Sequence, residues 1–148
     1  MLSPFRVFLR RPDADPGADP KPASGTAPHL RTGREGEDAA ARAAQARGWK
    51  ILDRNWRAGH LELDMVCEDG DELVFLEVKT RSENSLSSPL EALTREKRRR
   101  LIRAAQAWLS AHDAWERPCR FDLACVTAGK SGTAEHYRTE IISHVIEQ

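Results

Sequence analysis

Hydrophobic and polar positions recur along this chain with periods that change from block to block. Ala39, Ala40, Ala43 and Ala44 fall on adjoining helical positions after Thr32-Gly-Arg-Glu35, which reads as a capping box opening an alanine-rich helix. Gly48 suits the residue that ends it. A strand is expected over Trp49 to Arg57, and Gly59 turns the chain. Leu61, Leu63, Met65 and Cys67 then alternate with Glu62, Asp64, Val66 and Glu68, the period of a second strand. Glu68-Asp-Gly-Asp71 is a hairpin turn. Leu73 to Lys79 is apolar on both faces before its charges appear, so it belongs in the middle of a covered sheet. Ser88-Pro89-Leu-Glu91 reads as a second capping box, predicting a long helix to about His112. Leu93, Leu101, Ala104, Ala105, Trp108 and Leu109 form its core stripe. A fourth strand is expected from Cys119 to Val126, and the segment Tyr137 to Ile146 is expected to hold a last strand that runs into a short terminal turn. The order αβββαββ, without internal repeat, predicts an α/β sandwich: a mixed sheet flanked by helices.

Composition sharpens the boundaries. The 148 residues make one domain. Six of the 8 prolines lie within residues 4–28, so residues 1–31 are expected to be a disordered extension and residues 32–148 the folded domain. The 23 basic and 23 acidic residues cancel, which excludes a histone-like coat and an acidic tail but not a local basic patch. Cys67, Cys119 and Cys125 are an odd set with no CxxC spacing, which fits a reducing cytoplasm. No apolar run approaches the length of a membrane helix.

Chemistry concentrates on four residues. Asp64 lies on one strand, and Glu77-Val78-Lys79 ends the strand that follows the hairpin. The hairpin makes these strands neighbours. Two carboxylates so close repel unless a cation lies between them, and a hard cation such as Mg²⁺ or Mn²⁺ takes oxygen ligands. Glu77 and Lys79 share a face, and Glu37 sits early in a helix that packing can aim at the same point. The spacing by itself leaves two readings open, a salt-bridged structural cluster and a metal site.

Gly33-x-x-Gly36-Glu37-x-x-Ala40, then GWKILDRNWR from Gly48 to Arg57, then Glu62-Leu-Asp64, then Val74-Phe-Leu-Glu77-Val-Lys79-Thr-Arg81, then Arg120-Phe-Asp122 resemble the YraN-type family of uncharacterised bacterial proteins. That family is grouped with the restriction-endonuclease-like, PD-(D/E)xK nuclease superfamily, near Holliday-junction resolvases. The resemblance covers roughly residues 30–145. It implies an endonuclease-like fold, with Asp64 and Glu77 as metal ligands, the backbone carbonyl of Val78 as another, Lys79 assisting the nucleophile and Glu37 as an accessory carboxylate. It also implies dimers, because a junction presents two symmetric scissile bonds.

Beside these, Arg95, Lys97, Arg98, Arg99, Arg100 and Arg103 stand against Glu96 alone. Such a run is either a solvated face or, given the resemblance, a surface that tracks DNA phosphates without reading sequence; Arg81 would join it. Glu62 supports the site or faces solvent, Asp122 pairs with a nearby base, His60 stands at a turn, and the cysteines are core residues. The leading expectation is a Mg²⁺- or Mn²⁺-dependent endonuclease acting on DNA, branched DNA included. The alternatives are a non-catalytic nucleic-acid-binding module that keeps the fold, and a partner-binding domain whose carboxylates are merely ion-paired.

Overall fold

A computed structural model describes residue 9, residues 28–131 and residues 134–147. Helix α1 (Pro28–Ala46) leads into strands β1 (Lys50–Ala58), β2 (Leu61–Asp69) and β3 (Glu72–Ser82). A single 3₁₀ turn (Pro89–Ala92) precedes helix α2 (Arg95–Ala111), followed by β4 (Cys119–Ser131) and β5 (Ala134–Ile142). The five strands form one mixed sheet in the order β1-β2-β3-β4-β5. Only β3 and β4 run parallel, and α2 is the crossover that such a pair requires. The expected α/β order αβββαββ is therefore the order found.

Each face of the sheet carries its own core. On one face Val66, Leu73, Phe75, Phe121 and Leu123 meet Leu101, Ala104, Ala105, Trp108 and Leu109 of α2. On the other, Met65, Cys67, Val74, Leu76, Ala124 and Val126 meet Ala39, Ala40, Ala41 and Ala44 of α1. Leu73 to Leu76 are all buried, as a central strand covered on both sides must be. Alanines on α1 let the helix lie close. Gly36 extends that closeness, because a β carbon there would fall on the Thr80 hydroxyl.

Several boundaries differ from the pattern reading. Helix α1 begins at Pro28, not at a Thr32 cap; proline's fixed φ suits a first helical position. Ser88 and Pro89 open only the 3₁₀ turn, and the Ser88 side chain makes no cap bond. Thr94 caps α2 instead, its hydroxyl accepting from Lys97 N at 3.2 Å. Starting there, α2 still sets its five buried residues in one stripe, and Leu93 packs into the core just before it. Strand β4 runs on to Ser131, and β5 spans Ala134–Ile142, starting before Tyr137 and giving way to irregular chain before Ile146. The chain leaves the ladder after Ile142 because the buried Asp122 carboxylate takes the His144 N–H (3.0 Å) and the Ser143 hydroxyl (3.2 Å). The expected disordered extension falls mostly outside the described residues; within them, Leu9 is buried in the α2-side core and residues 28–31 belong to α1. No helix among the described residues is long and apolar enough to cross a membrane.

Candidate metal and nucleic-acid site

The candidate site begins where β2 stops behaving as a regular strand. Registered pairs between β1 and β2 pass from Arg54–Met65 to Trp56–Leu63, stepping over Asn55 and Asp64. Asn55 has φ 51°, a left-handed conformation that asparagine tolerates better than other side chains do. On the other side the β2–β3 ladder ends at Met65–Leu76, and Asp64 lies just beyond it. Its carboxylate substitutes for a ladder acceptor: Val78 N–H donates to Asp64 Oδ2 at 2.8 Å. The break shifts the phase of β2. Leu63 packs on the α2 side while Met65 and Cys67 pack on the α1 side, so the expected single face from Leu61 to Cys67 is divided at Asp64.

Glu77 sits on β3 beside this break. Its Oε1 lies 3.0 Å from Lys97 Nζ, delivered by the first turn of α2. Burial, and next the negative charge of Glu77, push the Asp64 carboxyl up to about 7; the Val78 N–H and Lys97 pull the other way. Glu37 arrives from α1, which Gly36 presses against Thr80. Its Oε2 accepts from Asn55 Nδ2 at 2.9 Å, and burial raises its carboxyl, with the charge of Asp64 adding to the effect. Asp64, Glu77 and Lys97 therefore form one electrostatic group, and Glu37 is tied in through Asn55.

Lys79 is exposed and has no ion-pair partner among the described residues. The Arg81 guanidinium donates to the Ser87 carbonyl. Both line a cleft of about 500 Å³ between the end of β3 and the 3₁₀ turn, walled also by Ser82, Ser85, Ser87 and Ser88. On α2, Arg95, Arg99, Arg100 and Arg103 are exposed without ion-pair partners among the described residues, whereas Arg98 Nε donates to the Leu93 carbonyl at 3.0 Å. The run expected to face phosphate is thus divided: Lys97 turns to Glu77, and the exposed stripe is arginine.

The remaining candidates fall elsewhere. Glu62 is exposed, 3.5 Å from Arg57. Asp122 is fully buried and paired with Arg120 at 3.0 Å. His60 is exposed. Burial pushes the Cys67 thiol up to about 12 and the Cys119 thiol up to about 11, which suits core residues and not nucleophiles. Two site residues escaped the sequence reading in their true roles. Asn55 carried a signal, a poor strand former in mid-strand. Lys97 carried none beyond its place in the basic run.

Among the described residues no three histidine, cysteine or acidic side chains are grouped to hold a metal. The donor set that fits is smaller: two carboxylates brought together against their repulsion, with burial and then the charge of Glu77 raising the Asp64 carboxyl. Hard cations that retain water match such a set. What the fold defines, then, is a mixed α/β sheet bearing a carboxylate pair at one end of its central strands. Residues 36–126, which span that site, match the uncharacterised protein family UPF0102, the YraN family, and the chain belongs to it. A UPF0102 protein of Nitratidesulfovibrio vulgaris (strain DP4) is 60% identical over 106 residues, 71% of this chain and 79% of its own length. UPF0102 proteins of Lawsonia intracellularis (43% over 107 residues, 72% of this chain, 81% of the relative) and Beutenbergia cavernae (46% over 108 residues, 72% and 92%) are also similar.

Proposed function

We propose that this protein is a divalent-metal-dependent endonuclease that hydrolyses DNA phosphodiester bonds, branched DNA included. The observation that carries the reading is the Asp64–Glu77 pair, two carboxylates held together at the point where β2 leaves β3. Mg²⁺ or Mn²⁺ held by Asp64 and Glu77, with Glu37 and the Val78 carbonyl alongside, would supply Lewis acidity to a phosphoryl oxygen and to water. The chain's own residues do the rest. The Val78 N–H fixes the Asp64 carboxylate. Lys79, on the face of Glu77, presents its ammonium to charge developing on the phosphate. Arg81 and the serine-lined cleft hold the neighbouring sugar-phosphate, and Arg95, Arg99 and Arg103 follow the backbone further out.

Labelled duplex, single-stranded and four-way-junction DNA incubated with Mg²⁺ or Mn²⁺ tests this. Metal-dependent cleavage is expected, reduced about a hundredfold or more by Glu77→Ala and by Lys79→Ala. Cleavage that persists in both variants overturns the assignment. A second reading, a DNA-binding module without catalysis, draws support from the engagement of Glu77 by Lys97. It predicts salt-sensitive binding that Arg99 and Arg103 control, with no cleavage under any metal.

A further inference from the structure

Lys97 differs from every other cation of its helix. Among the described residues, Arg95, Arg99, Arg100 and Arg103 have no ion-pair partner, and Arg98 is turned to a backbone carbonyl. Lys97 alone is directed at a carboxylate, with 31% of its side chain exposed against 14% for Glu77. Its backbone is pinned, since its N–H is the group that Thr94 caps. Its side chain is a flexible four-carbon stem carrying a compact charge, which can leave one partner for another without moving the helix. The ammonium acts on both members of the pair, directly on Glu77 and through space on Asp64.

We infer that Lys97 is the site's built-in counter-cation, neutralising Glu77 in the metal-free protein and giving way when a divalent cation takes the same carboxylate. The inference rests on the metal reading of the Asp64–Glu77 pair. A divalent cation on Glu77 takes up the negative charge that holds the ammonium, so binding the metal weakens the Lys97 contact and favours its release. It then stands in the first turn of α2 beside the carboxylates, where a phosphate oxygen is the natural next partner. The exchange explains how a half-buried carboxylate is tolerated before any metal arrives. It also makes Lys97 a substrate-positioning residue rather than one more member of the exposed stripe.

The full chain is titrated calorimetrically with Mn²⁺ alone, as wild type and as Lys97→Met. Loss of the competing ammonium is expected to tighten Mn²⁺ binding about fivefold, the scale of a partly exposed ion pair. In the wild type, side-chain NMR of Lys97 under Mg²⁺ titration is expected to move from an ordered to a mobile-lysine position. This measurement stands even if Lys97→Met fails to fold. Equal Mn²⁺ affinities with an unmoved Lys97 resonance overturn the exchange and leave the metal reading standing. Tighter binding with an unmoved resonance also overturns it, because charge repulsion at a distance is then sufficient. If neither protein binds Mn²⁺, the metal reading falls and the exchange with it.

Discussion

The β2–β3 hairpin carries an acidic pair at each end. At the turn, Asp69 and Glu72 face one another in register; at the open end, Asp64 and Glu77 lie just past the last registered pair. The turn pair is closed by Arg120 from β4, whose guanidinium reaches Glu72 at 2.6 Å, Asp69 at 3.0 Å and the buried Asp122 at 3.0 Å, and lies 5.1 Å over the ring of Trp49. Burial opposes that positive charge, but the bonds from Glu72 and Asp122 outweigh it and raise the Arg120 pKa further. At the open end, among the described residues, the ammonium that pairs with Glu77 is that of Lys97, which is flexible and bonds one oxygen. The same residue types on the same two strands thus make a permanent structural lock at one end and an incompletely neutralised site at the other. Arginine's planar, always-charged fork suits the first task and lysine's mobile point charge the second.

The strongest challenge to this contrast is Arg120→Met. It leaves Glu72 and Asp122 buried without their cation, and urea denaturation should show a loss of about 3–5 kcal/mol. A loss below about 1 kcal/mol, the range of surface pairs, would erase the distinction between the two ends.

Asp64→Asn should act in the opposite direction. The folded-state pKa of Asp64, about 7, lies above the unfolded value of 3.8, so the folded form holds its proton longer. The resulting stability is fully present below pH 3.8 and is lost as pH rises through 7. Removing the acid should stabilise the metal-free protein at pH 8 by about 1–3 kcal/mol and flatten the pH dependence between those values. Thermal melts across pH check this. Destabilisation at pH 8 would mean that the pair is as well compensated as the one at the turn. Mn²⁺ should raise the wild-type melting temperature at pH 8 and have much less effect on Asp64→Asn.

Gly36→Ala sharpens how tightly α1 is held against the open end. The added methyl meets the Thr80 hydroxyl and should cost about 1–3 kcal/mol. Thr80→Ala should recover most of that loss in a double-mutant cycle; additive effects would show that α1 yields easily. The smallest effect on the fold is expected from Arg99→Ala with Arg103→Ala. Stability should stay within about 0.5 kcal/mol, while DNA affinity at low salt falls and its salt slope shrinks by about 2. An unchanged slope would remove the arginine stripe from the nucleic-acid surface.

Much of this was readable in the chain. Period-two and helical patterns placed the two α-helices and five strands of the described residues in order, and the doubly apolar Leu73 to Leu76 marked the central strand. The resemblance carried by Gly36-Glu37, Asp64 and Glu77-x-Lys79 pointed to the YraN family, and the family match places the chain there. Which cap would start α2 was not legible. Ser88 and Thr94 are both good caps, and the choice belongs to the packing of Leu93 and the α2 stripe against the sheet.

By itself, then, the sequence determined the alternation of strands and helices, the hairpin that makes Asp64 and Glu77 neighbours, and the residue types able to hold a cation. Local periodicity and turn chemistry suffice for those. Only the tertiary structure decided that β2 breaks phase at Asp64, that Asn55 ties Glu37 to the break, and that Arg120 and Lys97 go to opposite ends of one hairpin. Those outcomes depend on which distant side chain arrives beside a half-buried charge. The register of β3 with β4 and the docking of α1 and α2 set that arrival, and spacing along the chain does not encode it.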